Sequence, residues 1–176
     1  MADDRLEWVH QRLMWSLTPR QIQLNVCVFG SGVMLLHGLR EEIGDVDLFV
    51  TEPAYLRLSK LDSWAQCTPH PADPPFLEWT GGRVPVHCFV DWAAREDFVS
   101  VADAWARSGY HAGWRCMPLW MVREWKLEAH RRSPHDPRHA KHLADAAVIG
   151  LALGYDSPEV RGAAVGGLRP ELGGAM

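Results

Sequence analysis

Two aspartates, Asp45 and Asp47, open the run Asp-Val-Asp-Leu-Phe-Val, whose apolar residues are typical of a β-strand. Side chains two residues apart on a strand point to the same side, so the two carboxylates would lie next to each other. Neighbouring carboxylate oxygens are ligands that hard divalent cations such as Mg²⁺ prefer. The pair is therefore a candidate metal site.

A Gly-Ser turn precedes this pair. The hydrophobic run from Leu24 to Phe29 ends in Gly30-Ser31, and residues 32–44 then lead to the aspartates. Glycine allows the backbone to approach a phosphate closely, and the amide groups that open a following helix favour an anion. Either motif alone is common, and an isolated carboxylate pair is usually solvated. In combination, a phosphate-binding turn and a metal-binding pair suit phosphoryl or nucleotidyl transfer.

The order of these motifs resembles the nucleotidyltransferase superfamily, in which a strand ending in Gly-Gly or Gly-Ser is followed by acidic-x-acidic within the next strand. The chain is similar in particular to the small bacterial and phage branch of minimal nucleotidyltransferases and related toxin-like enzymes. The resemblance spans residues 24–151 and includes Trp125-Lys126 and the run from Arg138 to Asp145. It implies an α/β fold, with a mixed β-sheet flanked by helices and a helical C-terminal third.

The third acid of the superfamily lies on a later strand, so that three carboxylates bind two metal ions. In the run from Arg83 to Asp91, His87 takes that place. Asp91 is four residues after His87, so its side chain would point to the same side of the strand. It would lie about 13 Å further along the strand, at about 3.3 Å per residue. His87 could bind a transition metal, accept a proton or only pack against the sheet. The resemblance implies Asp45, Asp47, His87 and Asp91 as catalytic residues, with Asp45 and Asp47 binding the metal.

The resemblance also implies phosphate contacts. Gly30 and Ser31 would meet the phosphates, and Lys126 resembles the phosphate-contacting lysine of the branch. Arg138 and Lys141 belong to a mostly basic cluster, residues 130–142, that could meet a triphosphate or an RNA backbone. The alternative for this cluster is a solvated helix junction.

The implied activity is transfer of a nucleoside monophosphate from a nucleoside triphosphate to a hydroxyl group, with Mg²⁺ or Mn²⁺ as cofactor. The acceptor could be a protein side chain, a tRNA end or a small molecule such as an antibiotic. Because His87 replaces a carboxylate, the alternative is a catalytically weakened member that binds nucleotide or acts as a regulatory or toxin–antitoxin partner. A structural domain without a nucleotide role is the third class.

The composition fits an enzyme-sized globular domain. The chain has 176 residues, of which 47% are hydrophobic and 23% charged, and its net charge of −4 gives no general signal for nucleic-acid binding. No apolar run approaches the roughly 20 residues that span a bilayer. The acidic N-terminal stretch is unlike a signal peptide, so we expect a cytoplasmic protein. Cys27 and Cys88 lie in apolar runs and are predicted to be core residues.

Hydrophobic periodicity predicts alternating helices and strands. Strands are expected at 24–29, 45–50, 76–79 and 84–90, with a short extended piece at 113–117, and helices at 4–17, 32–39, 53–64, 97–107, 118–130 and 137–153. On the last helix, we predict a buried stripe formed by Ala140, Leu143, Ala144, Ala147 and Leu151. Residues 1–156 are expected to form a single nucleotidyltransferase-like domain, followed by a peripheral Gly/Ala-rich tail at 157–176.

Overall fold

A computed structural model describes residues 6–67, 75–90, 101–132, 135 and 137–155. The described chain forms two compact units that divide between Pro118 and Leu119, and each unit is considered by itself. The first residues of the helix predicted at 97–107 and the C-terminal tail lie outside the described residues. Within the described ranges, no helix combines the length and the apolar character that crossing a membrane requires.

The first unit is built on a mixed β-sheet. Its strands are β1 (Val26–Phe29), β2 (Val46–Val50), β3 (Ala65–Cys67), β4 (Phe76–Trp79), β5 (Val86–Phe89), β6 (Gly109–His111) and β7 (Trp114–Cys116). They form a seven-stranded sheet in the order β3-β4-β5-β2-β1-β7-β6. Strand β2 is antiparallel to β1 and parallel to β5, whereas β4 is antiparallel to β5. The predicted α/β class with a mixed sheet is confirmed.

The register of the central strands aligns three polar residues. Phe29 pairs with Asp47 across β1 and β2, and Asp47 pairs with His87 across β2 and β5. His87 pairs in turn with Glu78 across β5 and β4. Because directly paired residues project to the same side of a sheet, Asp47, His87 and Glu78 form one row.

The centre of the sheet is apolar. Strand β1 is buried along its whole length, and the ring of Phe29 stacks on that of Phe49 with centroids 3.8 Å apart. Cys27, Cys88 and Cys116, on β1, β5 and β7, are buried free thiols. The prediction that Cys27 and Cys88 are core residues is confirmed.

The first unit also contains five helices among the described residues, α1 (Glu7–Leu13), α2 (Pro19–Asn25), α3 (Ser31–Leu36), α4 (Glu52–Leu58) and α5 (Val101–Arg107). The helix predicted at 4–17 ends earlier, and α2 was not predicted. A capping box starts α2, since the Gln21 backbone N–H donates to Thr18 Oγ1 and the Thr18 backbone N–H donates to Gln21 Oε1. Pro19 follows at the first helical position, where its missing N–H is tolerated.

The second unit contains α6 (Leu119–Arg132) and α7 (Pro137–Ala152), which pack against each other. The buried residues described on α7 include Asp145, Ala146 and Ile149. The predicted stripe from Ala140 to Leu151 is wrong, because Leu151 is 61% exposed. The buried face of α7 instead includes the acidic residue Asp145.

A buried ion pair joins these two helices. Lys126 on α6 is 0% exposed and Asp145 on α7 is 2% exposed, and Lys126 Nζ lies 2.7 Å from Asp145 Oδ2. Each charge compensates for the hydration that the other loses, so the pair explains why an aspartate occupies the inner face of α7.

Candidate active site

Three side chains predicted from the sequence meet where β2 and β5 begin. Asp45 immediately precedes β2, Asp47 is its second residue, and His87 is the second residue of β5. One potential ligand atom from each of the three lies within 4.8 Å of those from the other two, and all three side chains are half-buried. The sequence separates His87 from the aspartates, and the parallel pairing of β2 with β5 brings them together.

The imidazole of His87 lies between two carboxylates. Its Nδ1 atom is 3.3 Å from Asp47 Oδ1, and its Nε2 atom is 4.0 Å from Glu78 Oε2. The ring of Phe76 meets the imidazole edge to face, with centroids 4.9 Å apart. The ring therefore has both nitrogens directed towards acidic groups, in addition to packing on the sheet.

The carboxylates also control the charge of this ring. Burial would lower the pKa of His87, but the hydrogen bond to Asp47 and the charges of Asp47, Asp45 and Glu78 together outweigh burial. The pKa of His87 is therefore raised above its ordinary value. A cation that binds at this cluster competes with the proton on Nδ1, because a histidine ligand must be deprotonated at the binding nitrogen.

Two carboxylates and one imidazole fit a divalent cation. The distance of 3.3 Å between His87 Nδ1 and Asp47 Oδ1 is close to the separation of about 3 Å expected between adjacent ligands of an octahedral ion with bonds of about 2.1 Å. Mg²⁺ prefers oxygen ligands, whereas first-row transition ions also accept imidazole nitrogen. The donor set thus suits Mn²⁺ at least as well as Mg²⁺.

The Gly30-Ser31 turn follows β1 directly beside this cluster. Because Phe29 pairs with Asp47 in antiparallel register, the chain continues from Phe29 in the direction of Asp45. Gly30 has φ 61° and ψ −137°, a conformation that residues with side chains rarely adopt. Ser31 is half-buried and begins α3, which has only six residues. The turn itself, rather than the dipole of this short helix, is the candidate phosphate contact.

Two of the other predicted contacts, Lys126 and Lys141, belong to the second unit. Lys126 is bound to Asp145 by the buried ion pair described above. Lys141 is exposed on α7, whereas the side chain of Arg138 and the whole of Asp91 lie outside the described residues. Phosphate contacts by Lys126, Arg138 and Lys141, and a catalytic role for Asp91, stay predictions.

Glu78 lies beside this cluster, next to His87, and was not predicted from the sequence. Its carboxylate is 28% exposed, and it accepts a hydrogen bond from the thiol of Cys67, with 3.6 Å between Sγ and Oε2. The two strands of the β4–β5 hairpin were predicted, but the pairing of Glu78 with His87 depends on a register that the connecting segment does not define.

A pocket of about 440 Å³ opens in the same unit, lined by Trp8, Leu35, Glu41, Glu42, Ile43, Arg83 and Val84. Ile43 lies two residues before Asp45, and Val84 lies two residues before β5. The lining therefore includes residues from the two segments that lead into β2 and β5, the strands that carry Asp47 and His87. The carboxylates of Glu41 and Glu42 are exposed.

The fold is nucleotidyltransferase-like, as predicted, with a mixed sheet, accompanying helices and a helical C-terminal third. No family model and no curated protein sequence matches the chain. The chain is similar to the solution structure of the antibiotic-resistance factor ANT(2'')-Ia, with a TM-score of 0.55 and 16% identity over 93% of this chain and 92% of that one. It is also similar to a crystal structure of ANT(2'')-Ia in complex with adenylyl-2''-tobramycin, with a TM-score of 0.54 and 16% identity over 91% and 95% of the two chains. At this identity the likeness shows the fold alone.

Proposed function

We propose that the protein is a metal-dependent nucleotidyltransferase that moves a nucleoside monophosphate from a nucleoside triphosphate to a hydroxyl group. The observation that carries this proposal is the cluster of Asp45, Asp47 and His87 next to the Gly30-Ser31 turn. Its occurrence on a nucleotidyltransferase-like fold supports the same activity.

In this proposal Asp45, Asp47 and His87 hold a divalent cation. When bound, the cation offsets the negative charge of the phosphates. The Gly30-Ser31 turn lets the backbone approach a phosphate, to which the Ser31 hydroxyl can donate a hydrogen bond. The acceptor oxygen forms a bond to the α-phosphorus as the bond to pyrophosphate breaks, and the hydroxyl proton is released. Asp91 stays the alternative third acid.

Among the three acceptor classes, the structure favours a small molecule. The pocket of about 440 Å³ has the size of a small-molecule site. Among the lining residues that the structure describes, the exposed carboxylates Glu41 and Glu42 outnumber the basic residue Arg83 and so favour an acceptor with positive charge. A structure of the fold neighbour ANT(2'')-Ia also contains an adenylylated small molecule.

The proposal is tested by comparing the wild type with Asp47→Asn. Isothermal titration with each nucleoside triphosphate, with and without Mg²⁺ or Mn²⁺, measures binding, and transfer of label from the α-phosphate measures turnover. We expect Asp47→Asn to abolish metal-dependent binding or transfer while the melting temperature stays nearly unchanged. Asp62→Asn makes the same charge change at an exposed turn of the same unit and should retain both. Full activity of Asp47→Asn would rule out the proposed metal site.

A weakened, nucleotide-binding relative is the second candidate. The presence of His87 where the superfamily has an acid favours it, because the cluster then has one carboxylate fewer to offset two cations. Metal-dependent nucleotide binding without transfer in the same titrations would support this candidate. A regulatory or toxin–antitoxin role, a cytoplasmic location and a single domain over residues 1–156 stay predictions.

A further inference from the structure

Glu78 lies on the far side of the His87 ring from Asp47. It pairs directly with His87 across β4 and β5, so that the two side chains share a side of the sheet. Nδ1 of the ring is 3.3 Å from Asp47 Oδ1, and Nε2 is 4.0 Å from Glu78 Oε2. The two nitrogens are therefore directed to different carboxylates, of which only Asp47 belongs to the cluster with Asp45.

We propose that Glu78 is a positioning residue, which holds the Nε2 proton of His87 when a cation bound by Asp45 and Asp47 displaces the proton on Nδ1 and takes Nδ1 as a ligand. This inference rests on the proposed function, because it requires that the cluster binds a divalent cation. Glu78 would not touch the cation or the nucleotide, and its effect would pass through His87.

The proposal follows from the chemistry of histidine ligands. A histidine that binds a metal through one nitrogen generally donates the N–H of the other to a carboxylate, a backbone carbonyl or water, and this partner fixes the tautomer and the orientation of the ring. Glu78 supplies a carboxylate on the required side. The distance of 4.0 Å exceeds a hydrogen bond by about 1 Å. The side chain of Glu78 is 28% exposed, which leaves its carboxylate room to move about 1 Å closer to Nε2.

The neighbours of Glu78 and His87 restrict the orientation of the imidazole ring. The Cys67 thiol donates to the same Oε2 atom of Glu78 that faces His87, with 3.6 Å between the sulfur and the oxygen. Phe76 packs edge to face against the imidazole. The ring thus has a carboxylate at each nitrogen and an aromatic contact, an arrangement that defines its orientation before a cation binds.

The experiment is a titration of the intact protein with Mn²⁺ alone, in which the electron paramagnetic resonance signal reports free Mn²⁺. Partners of metal-binding histidines typically change affinity about 10–100-fold when they are replaced, so Glu78→Leu should weaken Mn²⁺ binding by about that factor. Glu78→Gln should lose less, because its amide oxygen still accepts from Nε2–H. Asp62→Asn, which removes an exposed carboxylate of the same unit, should bind like the wild type.

Two further measurements separate positioning from a general loss of charge or of folding. In a His87→Ala background, Glu78→Leu should cause no additional loss of Mn²⁺ affinity. Long-range ¹H–¹⁵N spectra recorded with diamagnetic Mg²⁺ in place of Mn²⁺ should show the Nε2–H tautomer of His87 in the wild type but a mixture of tautomers in Glu78→Leu. Equal losses in both backgrounds would overturn the proposal. If Glu78→Leu does not fold, Glu78→Gln and its spectra decide the question.

Failure of this inference differs from failure of the proposed function. A wild type that binds neither Mn²⁺ nor Mg²⁺ contradicts the proposed function. A wild type that binds Mn²⁺, together with Glu78 variants that bind it equally well, contradicts only the role of Glu78.

Discussion

Replacing Lys126 with methionine separates its two possible roles, phosphate contact and stabilisation of the α6–α7 pair. The substitution removes the ammonium group but keeps a long side chain, and it leaves the carboxylate of Asp145, which is 2% exposed, without the partner that lies 2.7 Å away. Breaking a buried ion pair by removing one partner costs about 3–5 kcal/mol. For a chain of this size about 1 kcal/mol shifts the melting temperature by about 2–4 °C, so a fall of about 6–20 °C is expected.

Differential scanning calorimetry or urea unfolding measures this change. The double variant Lys126→Met with Asp145→Leu removes both charges of this pair, and we expect most of the lost stability to return. Lys141→Met removes a lysine that is exposed on α7 and should change stability by no more than about 0.5 kcal/mol.

Two outcomes would contradict a stabilising role for the charge of Lys126. If Lys126→Met leaves the melting temperature unchanged and instead weakens nucleoside triphosphate binding, the ammonium group is available to a phosphate and the argument from the buried pair is wrong. A large loss of stability in both the single and the double variant would mean that packing by the lysine stem, rather than its charge, stabilises the two helices.

Three other predictions concern the first unit. His87→Glu restores a third carboxylate and should raise transfer at saturating Mg²⁺; a lower rate would place the third ligand elsewhere, with Asp91 the first candidate. Because Asp47, Asp45 and Glu78 raise the pKa of His87 against the effect of burial, the stability from its charged ring is fully present below about pH 6.5 and is lost as the pH rises through the raised folded-state pKa. The melting temperature of the metal-free wild type, relative to His87→Gln, should therefore fall, and not rise, as the pH increases above about 6.5. Ser31→Ala should weaken triphosphate binding more than nucleoside binding in calorimetric titrations, whereas equal losses would indicate a folding defect. Gly30→Val is a poorer test, because at φ 61° any side chain strains the turn.

The parts of the fold that the sequence predicts are those with strong hydrophobic runs. Strands β1, β2, β4 and β5 fall within predicted ranges, because their residues are largely buried. Strands β3 and β6 were missed, since each has three mostly exposed residues and no hydrophobic alternation. Helix α2 had a usable signal in Thr18, Pro19 and Gln21, a capping box with proline at the first helical position.

The face of α7 shows where pattern reasoning fails for a physical reason. An apolar stripe was expected from Ala140 to Leu151, on the assumption that charged residues face water. The actual inner face includes Asp145, because Lys126 on the other helix compensates for its burial. A pattern within one helix contains no information about a partner on another.

The candidate active site was predictable where its residues are close in the sequence or match a known motif. Asp45 and Asp47 are two residues apart, and His87 was found because it stands where the superfamily has an acid. Glu78 was not found, because its proximity to His87 depends on the register of the β4–β5 hairpin. A shift of that register by one residue would turn Glu78 to the opposite side of the sheet.

The buried thiols of the sheet provide natural reporters of its opening. Burial raises the pKa of Cys27 to about 12 and that of Cys116 to about 11, and burial also raises the pKa of Cys88. Since thiol reagents attack the thiolate, these three cysteines should react at neutral pH only when their strands separate from the sheet. Cys67 is only half-buried and should react first. The rates at which the three core cysteines are labelled, resolved by mass spectrometry, would then give the opening equilibria of β1, β5 and β7 without any introduced probe.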